Sequence, residues 1–223
     1  MATKIIVSYD GTDNDRDALT LGKILAAAGA TVSLAYVRHA TEGKKSAERL
    51  AEREAQELLD SGAEALGEPG VTTHVVLSGS TPDGLRDLAL ELDADVIVFG
   101  SEYRTAPGHV DPQASARRLI DGGPIAVALA PSGFHERKEY VVGTIGAVAE
   151  DGDPCVLETA ERIAARLHGT VAPRATGNAD LMVVGSKPGT VTGRVRVSAA
   201  ADYLIELASC PVLVLPRGVA VDF

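Results

Sequence analysis

A doubly wound α/β fold, one complete parallel sheet followed by a shortened copy of the same unit, is what this chain of 223 residues predicts. Two patterns carry that expectation. Over residues 1–131 short β-rich runs alternate with helical stretches, and each return to a parallel strand needs a helix to carry the chain back. Further on the pattern recurs: Ala179-Asp180-Leu181-Met182-Val183-Val184-Gly185-Ser186 echoes Ala94-Asp95-Val96-Ile97-Val98-Phe99-Gly100-Ser101 at an offset of 85 (179 − 94). A repeat at that spacing marks a duplicated unit.

In order along the chain, Ile5 to Tyr9 reads as a buried strand. Asp13 to Ala28 reads as a helix with Ala18, Leu21, Ile24, Leu25 and Ala28 on one face, stopped at Gly29. Thr31 to Val37 is a second strand, and Ser46 to Leu66 an amphipathic helix with Ala47, Leu50, Ala51, Leu58, Leu59 and Ala65 as its apolar stripe. Val71 to Leu77 is the third strand. Thr81-Pro82-Asp83 opens a helix carrying Leu85, Leu88, Ala89 and Leu92, with Pro in its favoured first turn. Val96 to Phe99 is the fourth strand, Pro112 to Ile120 a short helix and Ile125 to Leu129 the fifth strand.

Residues 132–138 break the alternation and read as a linker between a complete unit at 1–131 and a truncated one at 139–223. Pro211-Val212-Leu213-Val214-Leu215 echoes the Pro124-led strand at an offset of 87 (211 − 124), and Leu157 to His168 resembles the first helix. Thr170-Val171 follows Thr31-Val32 by 139, so about 54 residues (139 − 85) are missing, the length of the second helix, third strand and third helix together. Three sound strands are expected in this copy, near Tyr140 to Ile145, Leu181 to Val184 and Val212 to Leu215. The connection from Pro173 to Ala179 is too short for a helical crossover, so any strand at Thr170-Val171 should be rudimentary or paired differently.

Composition narrows the function. With 31 acidic against 21 basic residues and a net charge of −10, the summed field repels nucleic acid and anionic membranes. Aromatic content of 4% with no Trp leaves few surfaces for stacking bases. Cys155 and Cys210 lie far apart without Cys or His at ligand spacing, which indicates neither a disulfide framework nor a zinc site and fits a cytoplasmic location. The first strand begins too early for a signal peptide, and no apolar run reaches the roughly 18 residues of a membrane span.

Ligands of an open parallel sheet gather beyond the carboxyl ends of its strands. There stand Asp10-Gly11-Thr12-Asp13 after the first strand and Gly100 to His109 after the fourth. On spacing alone the simpler roles are structural, with Asp10 capping a helix and Gly100 making a tight turn. The chain holds no Gly-x4-Gly-Lys-Ser/Thr loop, no Gly-x-Gly-x2-Gly after the first strand and no Gly-x-Ser-x-Gly elbow. Its five histidines are scattered, and no catalytic set emerges.

The Asp10-Gly11 opening, the Asp95-to-Ser101 strand, the helix after it and the closing Pro-led strand, seen twice, resemble the universal stress protein family. The resemblance implies a sheet of order 3-2-1-4-5, a last strand that pairs across a dimer axis, and binding of ATP or another adenine nucleotide. By that resemblance Asp10 and Gly11 meet the adenosine moiety, the backbone at Val37 meets the adenine edge, and Gly100 with Ser101 meets the phosphates. Arg104 is the nearest cation. The family's Gly-x2-Gly-x9-Gly-Ser/Thr signature is broken here: Tyr103, Gln113 and Ala114 stand where two glycines and the hydroxyl belong, and Ser115 replaces the hydroxyl only if the loop shifts. In the second copy Pro188 stands at a glycine position and Ala149 at the position matched to Asp10, so no nucleotide site is expected there. The expectation is a non-enzymatic binding or regulatory protein with at most one nucleotide site, in its first half. It would associate with a protein partner or with itself, as a homodimer, through the terminal strands. A ligand-free interaction module is the alternative, and a slow nucleotide hydrolase has least support.

Overall fold

The computed structural model describes residues 2–39, 45–68, 70–137, 139–172 and 179–223, with side chains omitted at 45–50. The expected stripe residues Ala47 and Leu50 and the connection at 173–178 therefore lie outside the described residues. Among these, nine strands and six α-helices follow one another: β1 (Lys4–Ser8), α1 (Asp13–Ala27), β2 (Thr31–His39), α2 (Lys45–Leu66), β3 (Thr72–Ser78), α3 (Thr81–Leu92), β4 (Val96–Phe99), α4 (Ala114–Ile120) and β5 (Ala126–Leu129) in the first half, then β6 (Thr144–Val148), α5 (Pro154–Leu167), β7 (Thr170–Ala172), β8 (Leu181–Val184), α6 (Ala199–Leu207) and β9 (Val212–Val214).

All nine strands form one sheet in the order β3-β2-β1-β4-β5-β9-β8-β6-β7. The first five have the order 3-2-1-4-5 and pair in parallel. The next four repeat the order in mirror image, β9-β8-β6-β7, with no counterparts of α2, β3 and α3 among the described residues. Between them β5 and β9 pair antiparallel, within the chain. Each of these terminal strands thus has a neighbour on both sides.

Backbone geometry sets the repeat more sharply than residue identity does. Phe99 pairs with Leu129 and Val184 with Val214, so the closing strands match at an offset of 85, not the 87 suggested by the prolines. The physical reason is Gly122, held at φ 111°, where α4 has ended; at the equivalent positions Glu206 and Leu207 continue α6. Strand β6 starts at Thr144 rather than near Tyr140. Tyr140 instead sets its ring edge-on to Phe134, 4.7 Å away, and donates its hydroxyl to the Asp180 carbonyl at 2.6 Å. Strand β7 is a three-residue edge strand, rudimentary as expected, yet it pairs parallel to β6 because α5 supplies its crossover. The last helix of the first half begins at Ala114, two residues after the expected Pro112.

Two apolar layers cover the sheet. On one face Ile5 and Val7 share an apolar cluster with Leu21 and Leu25 of α1, Leu59 of α2 and Ile163 of α5; on the other Ile6 and Ile97 share one with Leu85 of α3, Leu119 of α4 and Ile205 of α6. Both layers run across the β5–β9 seam, so the halves share their core. The connector after β5 is part of it: Phe134 is fully buried, which stabilises by about 1.5–3 kcal/mol. Buried Asp17 of α1 clamps this connector, accepting hydrogen bonds from Gly133 N (2.9 Å), His135 N (2.8 Å) and His135 Nδ1 (2.6 Å). Asp153 repeats the clamp on Gly218 N at 2.9 Å.

Replacing Asp17 with Ala strands two backbone donors, and the expected loss is about 2–4 kcal/mol of unfolding free energy, read by urea denaturation.

Candidate functional site

The carboxyl ends of β1 and β4 lie side by side, which brings Asp10, Gly11 and Gly100 to one mouth. Asp10 is exposed and accepts a hydrogen bond from Thr12 N at 3.1 Å, closing a tight turn in which Gly11 has φ 84°. Behind it sits Asp15, at the third position of α1. Its carboxyl accepts from Asp10 N at 2.5 Å and Thr12 N at 3.3 Å, holding the loop against the helix start. Burial, and then the neighbouring Asp10 carboxyl, push Asp15 up to about 8. Asp15 was not foreseen from the sequence, although Thr12-x2-Asp15 has the spacing of a capping box.

Val37 lies on β2, one strand over. Tyr9 N donates to the Ala35 carbonyl at 2.9 Å, and alternate residues of a strand turn their backbone polar groups to the same side. The Val37 N–H and C=O therefore point beyond the end of β1, toward the mouth.

Gly100 is required by packing. A Cβ there would lie 2.1 Å from the Asn14 carbonyl oxygen, so the start of α1 rests directly on this residue. Ser101 is turned inward: its hydroxyl is buried, donates to the Ala130 carbonyl at 2.7 Å and accepts from Asp111 N at 3.3 Å. The loop folds back on itself, with Glu102 N on the Asp111 carbonyl at 2.8 Å. Arg104 is exposed and lies over the Tyr103 ring, 4.9 Å from its centre. Ser115 stands inside the first turn of α4. The residue beside Gly100 is Gln113, which precedes that helix and donates Nε2 to the Gly100 carbonyl at 3.1 Å.

The second half reproduces the serine-centred bonds of this loop. Ser186 donates to the Leu215 carbonyl at 2.7 Å and accepts from Arg196 N at 3.0 Å, each atom 85 residues beyond its first-half counterpart. Its mouth differs. Because Ile5 pairs with Val96 and Ile145 with Leu181, β6 follows β1 by 140 residues and the counterpart of Asp10 is Glu150, not Ala149. Glu150 accepts the Ser198 hydroxyl, and Asp151 is held by Arg217, whose Nη1 meets Oδ1 at 2.6 Å.

Comparison with known proteins agrees with this geometry. The family model described as the universal stress protein family matches residues 1–131, more than half of the sequence. The chain belongs to the universal stress protein family. No curated protein matches it in sequence. Among solved structures, a universal stress protein from Archaeoglobus fulgidus is similar over 98% of this chain and 100% of that one, at 15% identity and a TM-score of 0.70. A functionally unknown protein from Pseudomonas aeruginosa is similar over 97% of this chain and 93% of that one, at 15% identity and a TM-score of 0.65. A putative universal stress protein from another Pseudomonas aeruginosa strain covers 97% and 94%, at 14% identity and a TM-score of 0.62. At these identities the likeness is one of fold. This universal stress protein departs from the sequence-based alignment in the residues flanking Gly100 and in the counterpart of Asp10.

Two outcomes test the mouth. Gly100→Ala forces α1 off its seat, and a loss of roughly 1–3 kcal/mol is expected by urea denaturation. For Asp15 the folded protein keeps a proton between about pH 4 and pH 8 that the unfolded chain has released, so this group lowers stability as pH rises through that window. Asp15→Asn should flatten that decline when unfolding is followed at pH 5 and pH 8.

Proposed function

We propose that this universal stress protein is a non-enzymatic stress-response binding module that takes one adenine nucleotide, in its first half, held chiefly through the adenosine end. The observation that carries this reading is the difference between the two mouths. Both strand-end carboxylates are exposed, but Asp10 is bonded within its own turn and beside the Asp15 carboxyl, next to outward-facing backbone groups at Val37, whereas Glu150 is taken by the Ser198 hydroxyl at the start of α6 and Asp151 by Arg217. An exposed carboxylate at a strand end suits ribose hydroxyls, and strand-end N–H and C=O groups that point into the mouth suit an adenine edge.

The phosphate end fits less well. Ser101 spends its hydroxyl on Ala130, Gln113 spends its amide on Gly100 and Arg117 is engaged with Asp111, which leaves exposed Arg104 as the cation carried by the loop itself. The β- and γ-phosphates of ATP should therefore add little. Self-association through the terminal strands is not part of this proposal, since β5 and β9 are each flanked on both sides. No helix among the described residues is long and apolar enough to cross a membrane.

Isothermal titration of the purified chain with AMP, cyclic AMP and ATP is the test. Binding is expected with one site per chain and with ATP within about tenfold of AMP. Asp10→Ala should weaken it roughly 10- to 100-fold and Glu150→Ala should not change it. Silence with all three at millimolar concentration would leave the ligand-free interaction module in its place.

A further inference from the structure

The register of the seam defines an approximate two-fold axis. Val127 pairs with Val214, Ala128 with Leu213 and Leu129 with Val212. At the structural offset of 85, Leu213 is the counterpart of Ala128 (213 − 128), so the axis passes between these two residues. Such an axis sets a position against its own counterpart. Backbone pairing alone would join two like halves as readily as two unlike ones.

The side chains over the axis are not alike. The counterpart of Arg117 is Asp202 (202 − 117), and the two face each other with Nη1 3.6 Å from Oδ1. Arg117 also reaches Asp111 at 2.8 Å and Glu206 at 3.2 Å. A second reversal lies beside the first: the counterpart of Asp111 is Arg196 (196 − 111), which pairs with Asp121 at 3.2 Å. If β5 met β5 of a second copy about the same axis, Arg117 would face Arg117. Two second halves would set Asp202 against Asp202. A half-exposed ion pair adds little by itself, but exchanging it for a like pair turns attraction into repulsion at the centre of the contact.

We propose that Arg117 and Asp202 make the seam selective for unlike halves, so that β5 accepts the chain's own β9 and rejects β5 of a second copy.

Two measurements on the full-length chain test this. Ala128→Cys puts a thiol on the axis, where two self-paired copies would bring the introduced thiols together and a seam of unlike halves would not. Under mild oxidation it should give no more disulfide-linked dimer than the parent with its native cysteines, while Ala128→Cys with Leu213→Cys should close within one chain. Dimer formation by Ala128→Cys alone overturns the proposal. In thermal unfolding Arg117→Asp and Asp202→Arg should each lower Tm by about 2–4 °C, and the double reversal should melt above both. A double variant no more stable than the weaker single variant overturns it. Should a single variant fail to fold, recovery of folding in the double supports the proposal and continued failure overturns it.

Discussion

The antiparallel pairing of β5 with β9 is the contact on which the rest of the molecule depends. The second half has four strands and two α-helices among its described residues, too few to cover both faces of a sheet. Joined at the seam, its layers continue those of the first half. Ile145 and Val183 enter the same apolar cluster as Ile5 and Val98, and Val184 and Ile205 the same one as Ile97 and Phe99. The residues after β9 extend this dependence. Val221 and Phe223 are buried in the shared core, and Thr3 donates its hydroxyl to the Asp222 carbonyl at 2.6 Å.

Within that frame the best preserved feature is a loop, not a ligand site. Ser101 and Ser186 do the same work: each hydroxyl reaches across to the end of the next strand and receives an N–H from the returning loop. Buried carbonyls need such partners, and this requirement is independent of any nucleotide. Sequence similarity around a glycine and a serine after the fourth strand therefore reports loop closure first. What distinguishes the halves lies at the neighbouring strand, where Asp10 is bonded within its own turn and Glu150 to the Ser198 hydroxyl at the start of α6.

Much of the fold was legible because alternation and helix spacing are dictated by burial, which leaves its period in the sequence. The Ala-Asp segments before β4 and β8 were legible for a related reason. Asp95 accepts from Lys4 N at 2.8 Å and Asp180 from Thr144 N at 2.8 Å, so both carboxylates are fixed by one backbone geometry. Matching Pro124 to Pro211 misled because a proline ahead of a strand satisfies a local preference that tolerates small shifts, whereas the ladder does not. Ala149 was matched to Asp10 for a similar reason: one residue gained or lost between β6 and β7 is invisible until Ile145 is seen beside Leu181. Gln113 was read as a missing glycine, and its amide on Gly100 follows from the direction of the loop, which identity alone does not encode.

The place of the elements without counterparts explains how the smaller second half can do without them. These elements, α2, β3 and α3, serve the far edge of the sheet, where four strands separate β3 from β9. The parts that remain, β8, α6 and β9, are those that form or adjoin the seam. The omission has a visible cost at α6. Leu119 on α4, which packs against α3, is 4% exposed, whereas its counterpart Leu204 on α6, with no such helix beside it among the described residues, is 37% exposed. An apolar side chain left open in this way costs less than a missing sheet edge, because a seam residue carries backbone donors and acceptors as well as apolar surface. The outer edge is therefore where a two-part sheet of this kind can be smaller on one side while keeping its core.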